Sequence, residues 1–237
     1  MFRSLVMTAL LAGAAAGLLL TVIQQWQVTP IILAAEKYEM AAAKVSAHEH
    51  NSPSDEHSHA HNEAQWTPAE GMERMLYTLL ANVFAGIGFA LLIAAGMGFS
   101  GHSGWRSGLG WGLAGYAVFF LAPTLGLHPE VPGTVAAALA ERQLWWISTV
   151  AASATGLALL IFGRSLLLRG MAVLLLIMPH LFGAPLPEHA SSLVPQQLSD
   201  NFILATTIVN GIFWLALGLL CGRFLQRFLP SENVAGV

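Results

Sequence analysis

Six long apolar runs constrain this 237-residue chain more than any other feature. They lie near Leu5–Ile23, Leu76–Phe99, Leu109–Leu127, Leu144–Phe162, Leu166–Phe182 and Phe202–Cys221. A helix needs about 20 mainly apolar residues to cross the hydrocarbon core of a bilayer. No Asp, Glu, Lys or Arg stands near the centre of any run. In lipid the backbone must satisfy its own hydrogen bonds, which leaves helices or closed barrels. The runs are too long and too uniformly apolar for barrel strands. The expected fold class is therefore all-α: a polytopic integral membrane helix bundle of about six transmembrane helices, forming one membrane domain over 1–237. Charged residues make up only 10% of the chain, against about 25% in soluble domains, so a water-soluble core is excluded.

Two runs admit a second reading. Arg3 and the small residues Ala12 to Ala16 resemble a secretory signal, but the apolar run continues to Ile23, and span length favours a retained anchor. The fifth run is interrupted by Arg169 and Pro179; read as re-entrant, it leaves five spans. Gly13 and Gly17, Gly104, Gly108 and Gly112, and Gly218 and Gly222 are spaced to let helices approach closely.

Charge placement sets the orientation. With the N-terminus inside and six crossings, Arg3, Arg106, Arg164, Arg169, Arg223 and Arg227 fall on the inner side. Lys37, Lys44, Arg74 and Arg142 fall outside, which satisfies the positive-inside rule. Of the 13 acidic residues only Glu232 falls inside. An outer face rich in carboxylate and imidazole concentrates cations. Both termini are therefore expected on the cytoplasmic side of the membrane.

Residues 29–67 form the long connection between the first two runs, expected as a His-rich extracytoplasmic loop on the outer side. His48, His50, His57, His59 and His61 are interleaved with Glu49, Asp55 and Glu56. Neutral imidazole is the commonest protein ligand for divalent transition metals, and His-rich tracts are a compositional sign of metal binding. The bland alternative is a solvated low-complexity loop, and the segment from about Ala47 to Gln65 is expected to be disordered without metal. The Ala-rich stretch from Ile31 to Lys44 can prolong the first helix beyond Pro30. Thr67-Pro68-Ala69-Glu70 has the pattern of an N-cap, a first-turn proline and a capping-box glutamate, so the next helix is expected to start near Pro68.

A second group stands at the outer ends of later runs. Leu127-His128-Pro129-Glu130 holds an imidazole and a carboxylate two residues apart on a proline-stiffened turn. Met178-Pro179-His180 ends the fifth run, and Glu188-His189 follows. Met178, His180, His189, His128, Glu130 and Glu188 are candidates for a transfer site; the alternative is ordered connecting loops. Trp145 and Trp146 read as an interfacial anchor. Of the polar residues within the runs, Gln24, Gln25, Asn82, Ser148, Thr149, Ser153, Thr155, Thr206, Thr207 and Asn210, most are expected to hydrogen-bond between helices.

Several function classes drop out. One cysteine, Cys221, excludes an internal disulfide and a Cys-based zinc site. No phosphate-binding loop, dinucleotide fingerprint or nucleophile elbow is present, and no basic-aromatic pattern points to nucleic acid. No enzyme is expected.

On the N-terminal span followed by a His-bearing segment, and on Gly126-Leu127-His128-Pro129-Glu130-Val131-Pro132-Gly133, Arg142-Gln143-Leu144-Trp145-Trp146 and Pro179-His180-Leu181-Phe182-Gly183-Ala184-Pro185, the chain resembles the CbtA family of predicted cobalt transporter subunits. The resemblance implies a bacterial inner-membrane protein connected with cobalamin synthesis, and a small single-span His-bearing partner, CbtB. Ligand chemistry alone does not choose cobalt, because nickel and zinc suit the same donors. The expected function is a membrane subunit for uptake of a divalent metal, Co2+ through the resemblance, with no tightly bound cofactor. A non-transporting metal-binding, sensing or structural subunit is the alternative. Partners are the lipid bilayer and the CbtB-like subunit; a homo-oligomer is compatible with the pattern.

Overall fold

The computed structural model describes residues 2–49, 68–69, 71–187 and 192–228, with the backbone alone for 43–49. Among them there is no strand; one isolated antiparallel bridge joins Thr134 to Ser192. The all-α expectation holds. Helices α1 (Phe2–Gln27), α3 (Met72–Ser100), α6 (Leu139–Phe162) and α8 (Gln196–Phe228) are long and apolar enough to cross a membrane. The other two apolar runs are also helical. One is α4 (Trp105–Tyr116), continued by a π-helical turn (Ala117–Leu121) into α5 (Ala122–Thr124). The other, α7 (Leu166–Phe182), has 17 residues, a rise of about 25 Å.

One connection follows expectation and one departs from it. Helix α2 (Thr29–Glu49) covers the Ala-rich stretch from Ile31 to Lys44 expected to prolong the first helix, and takes up the first half of the 29–67 connection. Ile31 and Ile32 both donate to the Val28 carbonyl, so the chain passes from α1 into α2 with almost no break. Proline at the second position of α2 sits where its missing N–H costs nothing. The departure is the start of α3, which falls at Met72 and not near Pro68. Gly71 adopts φ 89°, which ends any helix arriving from Pro68. Thr67 and Glu70 lie outside the described residues; the Glu73 carboxylate accepts from the Ala69 N–H at 3.3 Å.

Small residues build the core. On α1, Ala9, Ala12, Gly13, Ala16 and Gly17 are buried at helical spacing and face α3 and α8. A Cβ on Gly17 would lie 2.6 Å from the Asn82 carbonyl oxygen, and Gly13 and Gly86 touch backbone to backbone. A second seam joins α4 to α8: Gly108 and Gly112 meet Gly218, and Gly222 meets Gly104 and Gly108. Without a hydrophobic drive between helices in lipid, dispersion across such close approaches holds the bundle. The seam is fastened at its end by the Gly104 N–H donating to the Gly222 carbonyl at 3.1 Å.

An aromatic cluster fills the middle. Phe119, on the π-helical turn, stacks on Trp214 at 5.5 Å and 9° and tilts against Phe89 at 5.1 Å. Helices α6 and α7 form a hairpin outside the four-helix unit of α1, α3, α4 and α8. The hairpin leans on that unit through the π-helical turn and α5. Ala172 and Pro179 are the buried residues of α7, and Leu167 and Phe182 are exposed.

Most polar side chains in the helices serve their own helix. Thr149, Thr155, Thr206 and Thr207 donate to carbonyls three or four residues back, as does the Asn210 amide. The expectation of mainly interhelical bonds is corrected here, because a carbonyl one turn back is always within reach of a short hydroxyl. Others bridge helices instead: the Asn82 amide of α3 donates to Thr21 Oγ1 at 3.0 Å and Gln24 Oε1 at 2.7 Å, both on α1, and the Tyr116 hydroxyl of α4 donates to the Thr207 carbonyl of α8 at 3.1 Å.

Candidate functional site

The chain has two chemically distinct ends. At one end Ser4 Oγ donates to the Phe228 carbonyl, tying the start of α1 to the end of α8. Arg3, Arg106, Arg164, Arg169, Arg223 and Arg227 belong to this end, and none forms an ion pair among the described residues. The opposite end carries His128 and His180. Its arginines are neutralised: Arg74 holds Glu36 at 2.6 Å, and Arg142 holds Glu130 at 2.9 Å. The charge asymmetry read from the sequence is thus sharpened by pairing.

The loops of the histidine-bearing end touch. The Leu193 N–H donates to the Gly133 carbonyl at 3.2 Å. Gly133 has φ 83° and sits against side-chain atoms of Leu193, Val194 and Glu39. A Cβ here would be strained by conformation rather than by space. Val131 and Val194 are buried beneath this junction. Glu39 brings α2 to the same rim, so the backbone leading to His48 leaves from it.

His128 and Glu130 line a cavity of about 730 Å³ between the end of α5 and the start of α6, with Phe119, Arg142, Gln143 and Trp146 on its walls. His128 is exposed. Glu130 is not a free ligand, because the Arg142 guanidinium occupies its carboxylate. With both side chains about one-third exposed, the pair contributes little stability and is readily exchanged.

Trp145 organises the other imidazole. Its indole N–H donates to the Pro179 carbonyl at 3.3 Å, and its ring meets His180 edge-on at 6.1 Å. The ring fills the space that a side chain at Gly126 would take, next to Ala184. The polar handle of Trp145 thus turns into the protein, whereas Trp146 is 37% exposed.

Among the described residues no three His, Cys, Asp or Glu side chains come together as a metal site. His128 and Glu130 share a cavity; His180 stands apart on the far side of Trp145. His50, His57, His59, His61, Glu188 and His189 lie outside the described residues, as does the side chain of His48. Sequence reading missed Arg142 and Trp145 as site builders. The available signal was Gly126, a glycine just before the His128 turn, which marks a close approach by some large side chain.

These features define a multi-pass α-helical membrane protein with a charge-polarised pair of ends. The chain belongs to the CbtA family, described as a probable cobalt transporter subunit, whose pattern matches residues 2–226. Neither a curated protein nor a solved structure matches it.

Proposed function

We propose that this chain is the membrane subunit through which Co2+ is taken up across a bacterial inner membrane for cobalamin synthesis. Membership of the cobalt transporter family over residues 2–226 carries the reading. In it all six apolar helical runs cross, both termini are cytoplasmic, and the end bearing His128 and His180 is periplasmic. His48, His50, His57, His59 and His61 capture the ion through multivalent, fast-exchanging contacts. The ion passes to His128 and Glu130, with His180 and His189 as further donors. Support comes from α2, which leads toward His48 from the rim formed by the Gly133 and Leu193 loops. Glu130 becomes a ligand only as Arg142 lets go, so capture and release of the ion pair are coupled. The metal is cargo, and a small single-span His-bearing subunit of the CbtB kind completes the system.

A second reading, a subunit that binds the ion without conducting it, draws on one observation. The interior half of the bundle offers the ion no carboxylate, and the cavity between α3, α4 and α6 is almost wholly apolar. Radiolabelled Co2+ flux into liposomes, with and without the small partner, separates the two. Replacing His48, His50, His57, His59 and His61 together by Ala is expected to lower uptake at scarce metal and leave it intact in excess. Unchanged uptake at scarce metal would remove the capture role.

A further inference from the structure

Among the described helices, the hairpin of α6 and α7 meets the rest of the chain mainly toward the histidine-bearing end, through the π-helical turn and α5. Toward the basic end α6 stands away from α3 and α4. The gap is a groove of about 460 Å³, walled by Leu92, Trp111, Leu157 and Ile161 and closed at its inner limit by Phe119 and Trp214. Its mouth is polar, formed by Ser100, His102 and Ser107. His102 Nδ1 donates to the Ser100 carbonyl at 2.6 Å, which leaves Nε2 exposed at the mouth.

Depth and charge identify the occupant. From Ser107 to Phe119 the helical rise is about 18 Å, close to half of the ~30 Å hydrocarbon core. A transmembrane helix needs the full thickness; an acyl chain of one leaflet needs half. Arg106 adjoins Ser107 at the mouth and Arg164 follows closely on the groove-lining Phe162. Both are exposed and without an ion pair among the described residues. Basic residues at such a position attract anionic head groups, and an apolar void at this depth forfeits dispersion unless a chain fills it.

We propose that this groove is a binding site for one acyl chain of an anionic phospholipid, whose phosphate sits at the Ser100, His102 and Ser107 mouth between Arg106 and Arg164. The site is independent of metal transport and lies at the opposite end from His128.

Native mass spectrometry of the full chain in mild detergent, titrated with phosphatidylglycerol and with phosphatidylcholine of the same acyl chains, tests it. One phosphatidylglycerol is expected to be retained with at least tenfold higher affinity. Gly110 lines the groove, and a Cβ there meets nothing within 4 Å. Gly110→Leu therefore fills the space without pushing backbone, and is expected to lose the retained lipid while keeping the wild-type thermal midpoint. Ala158→Leu, from the facing helix, is the second filling variant. Arg106→Gln with Arg164→Gln is expected to abolish the preference for the anionic head group but keep weak retention of both lipids. Equal retention of the two lipids by the wild type, or undiminished retention in both filling variants, overturns the proposal. So does a dimer that Gly110→Leu dissociates, which would assign the groove to a second copy of the chain.

Discussion

Gly218→Ala is the most direct test of how the helices are held. A Cβ on Gly218 would lie 2.7 Å from Gly112 Cα and 2.8 Å from Gly112 N, and closer still to the Gly108 carbonyl oxygen. Carbon atoms in good contact sit about 3.5–4.0 Å apart, so α4 and α8 must separate by about 1 Å. A gap of that size forfeits a quarter to a half of each dispersion contact along the seam. Overpacking of this kind costs about 1–3 kcal/mol. Alanine recovers about 0.5–1 kcal/mol of that through its better helix propensity, so the expected net loss is about 0–2.5 kcal/mol, against the gain expected at a site with room for the methyl group. Gly88, on α3, is the control, because a Cβ there meets nothing within 4 Å. Gly88→Ala is expected to be neutral or slightly stabilising. Reversible unfolding in mixed detergent and dodecyl sulfate, followed by tryptophan fluorescence, measures both. Equal stability of the two variants would refute the claim that backbone contact, rather than side-chain packing, joins α4 to α8.

Three further outcomes are expected. Asn82→Leu removes both bonds from α3 to Thr21 and Gln24 and should cost about 1 kcal/mol in the same unfolding assay, more than Asn210→Leu, whose amide serves only its own helix. Trp145→Ala empties the wedge between Gly126, Ala184 and His180 and should cost about 3–5 kcal/mol; Trp145→Phe loses the far edge of the indole at Gly126 and the N–H to Pro179 but keeps a ring, and should cost less than the alanine variant. Arg142→Gln frees the Glu130 carboxylate and should change stability by less than about 1 kcal/mol, while Co2+ affinity measured by calorimetry on the full chain rises and that of Glu130→Gln falls.

Helix positions were legible because lipid penalises charge so heavily that runs such as Leu166–Phe182 coincide with the helix found. The close-packing glycines were legible as well, since a spacing of four puts Gly218 and Gly222 on one face. Which helix each would meet was not, because a motif marks a face and not its partner. The start of α3 was misplaced because Gly71 outweighs a good capping pattern when it takes positive φ. The polar residues were misjudged for a local reason: Thr206 finds the Phe202 carbonyl at 2.7 Å without leaving its helix. At the candidate site, proline and histidine placement left the gathering of loops and plain connecting loops equally open; the contact of Leu193 with Gly133 is a long-range pairing that no local pattern marks. The seizure of Glu130 by Arg142 and the wedge role of Trp145 were not legible either, because both arise across a loop whose path the sequence leaves undetermined.

The narrow footing of the α6–α7 hairpin has a mechanical consequence. Arg142, Trp145 and His180 ride on the hairpin, whereas Gly126, His128 and Glu130 stay with the third apolar run and its loop. The two groups are opposing jaws. A swing of one against the other breaks the Arg142–Glu130 clasp, draws the Trp145 indole out of its slot and parts Trp146 from Phe119.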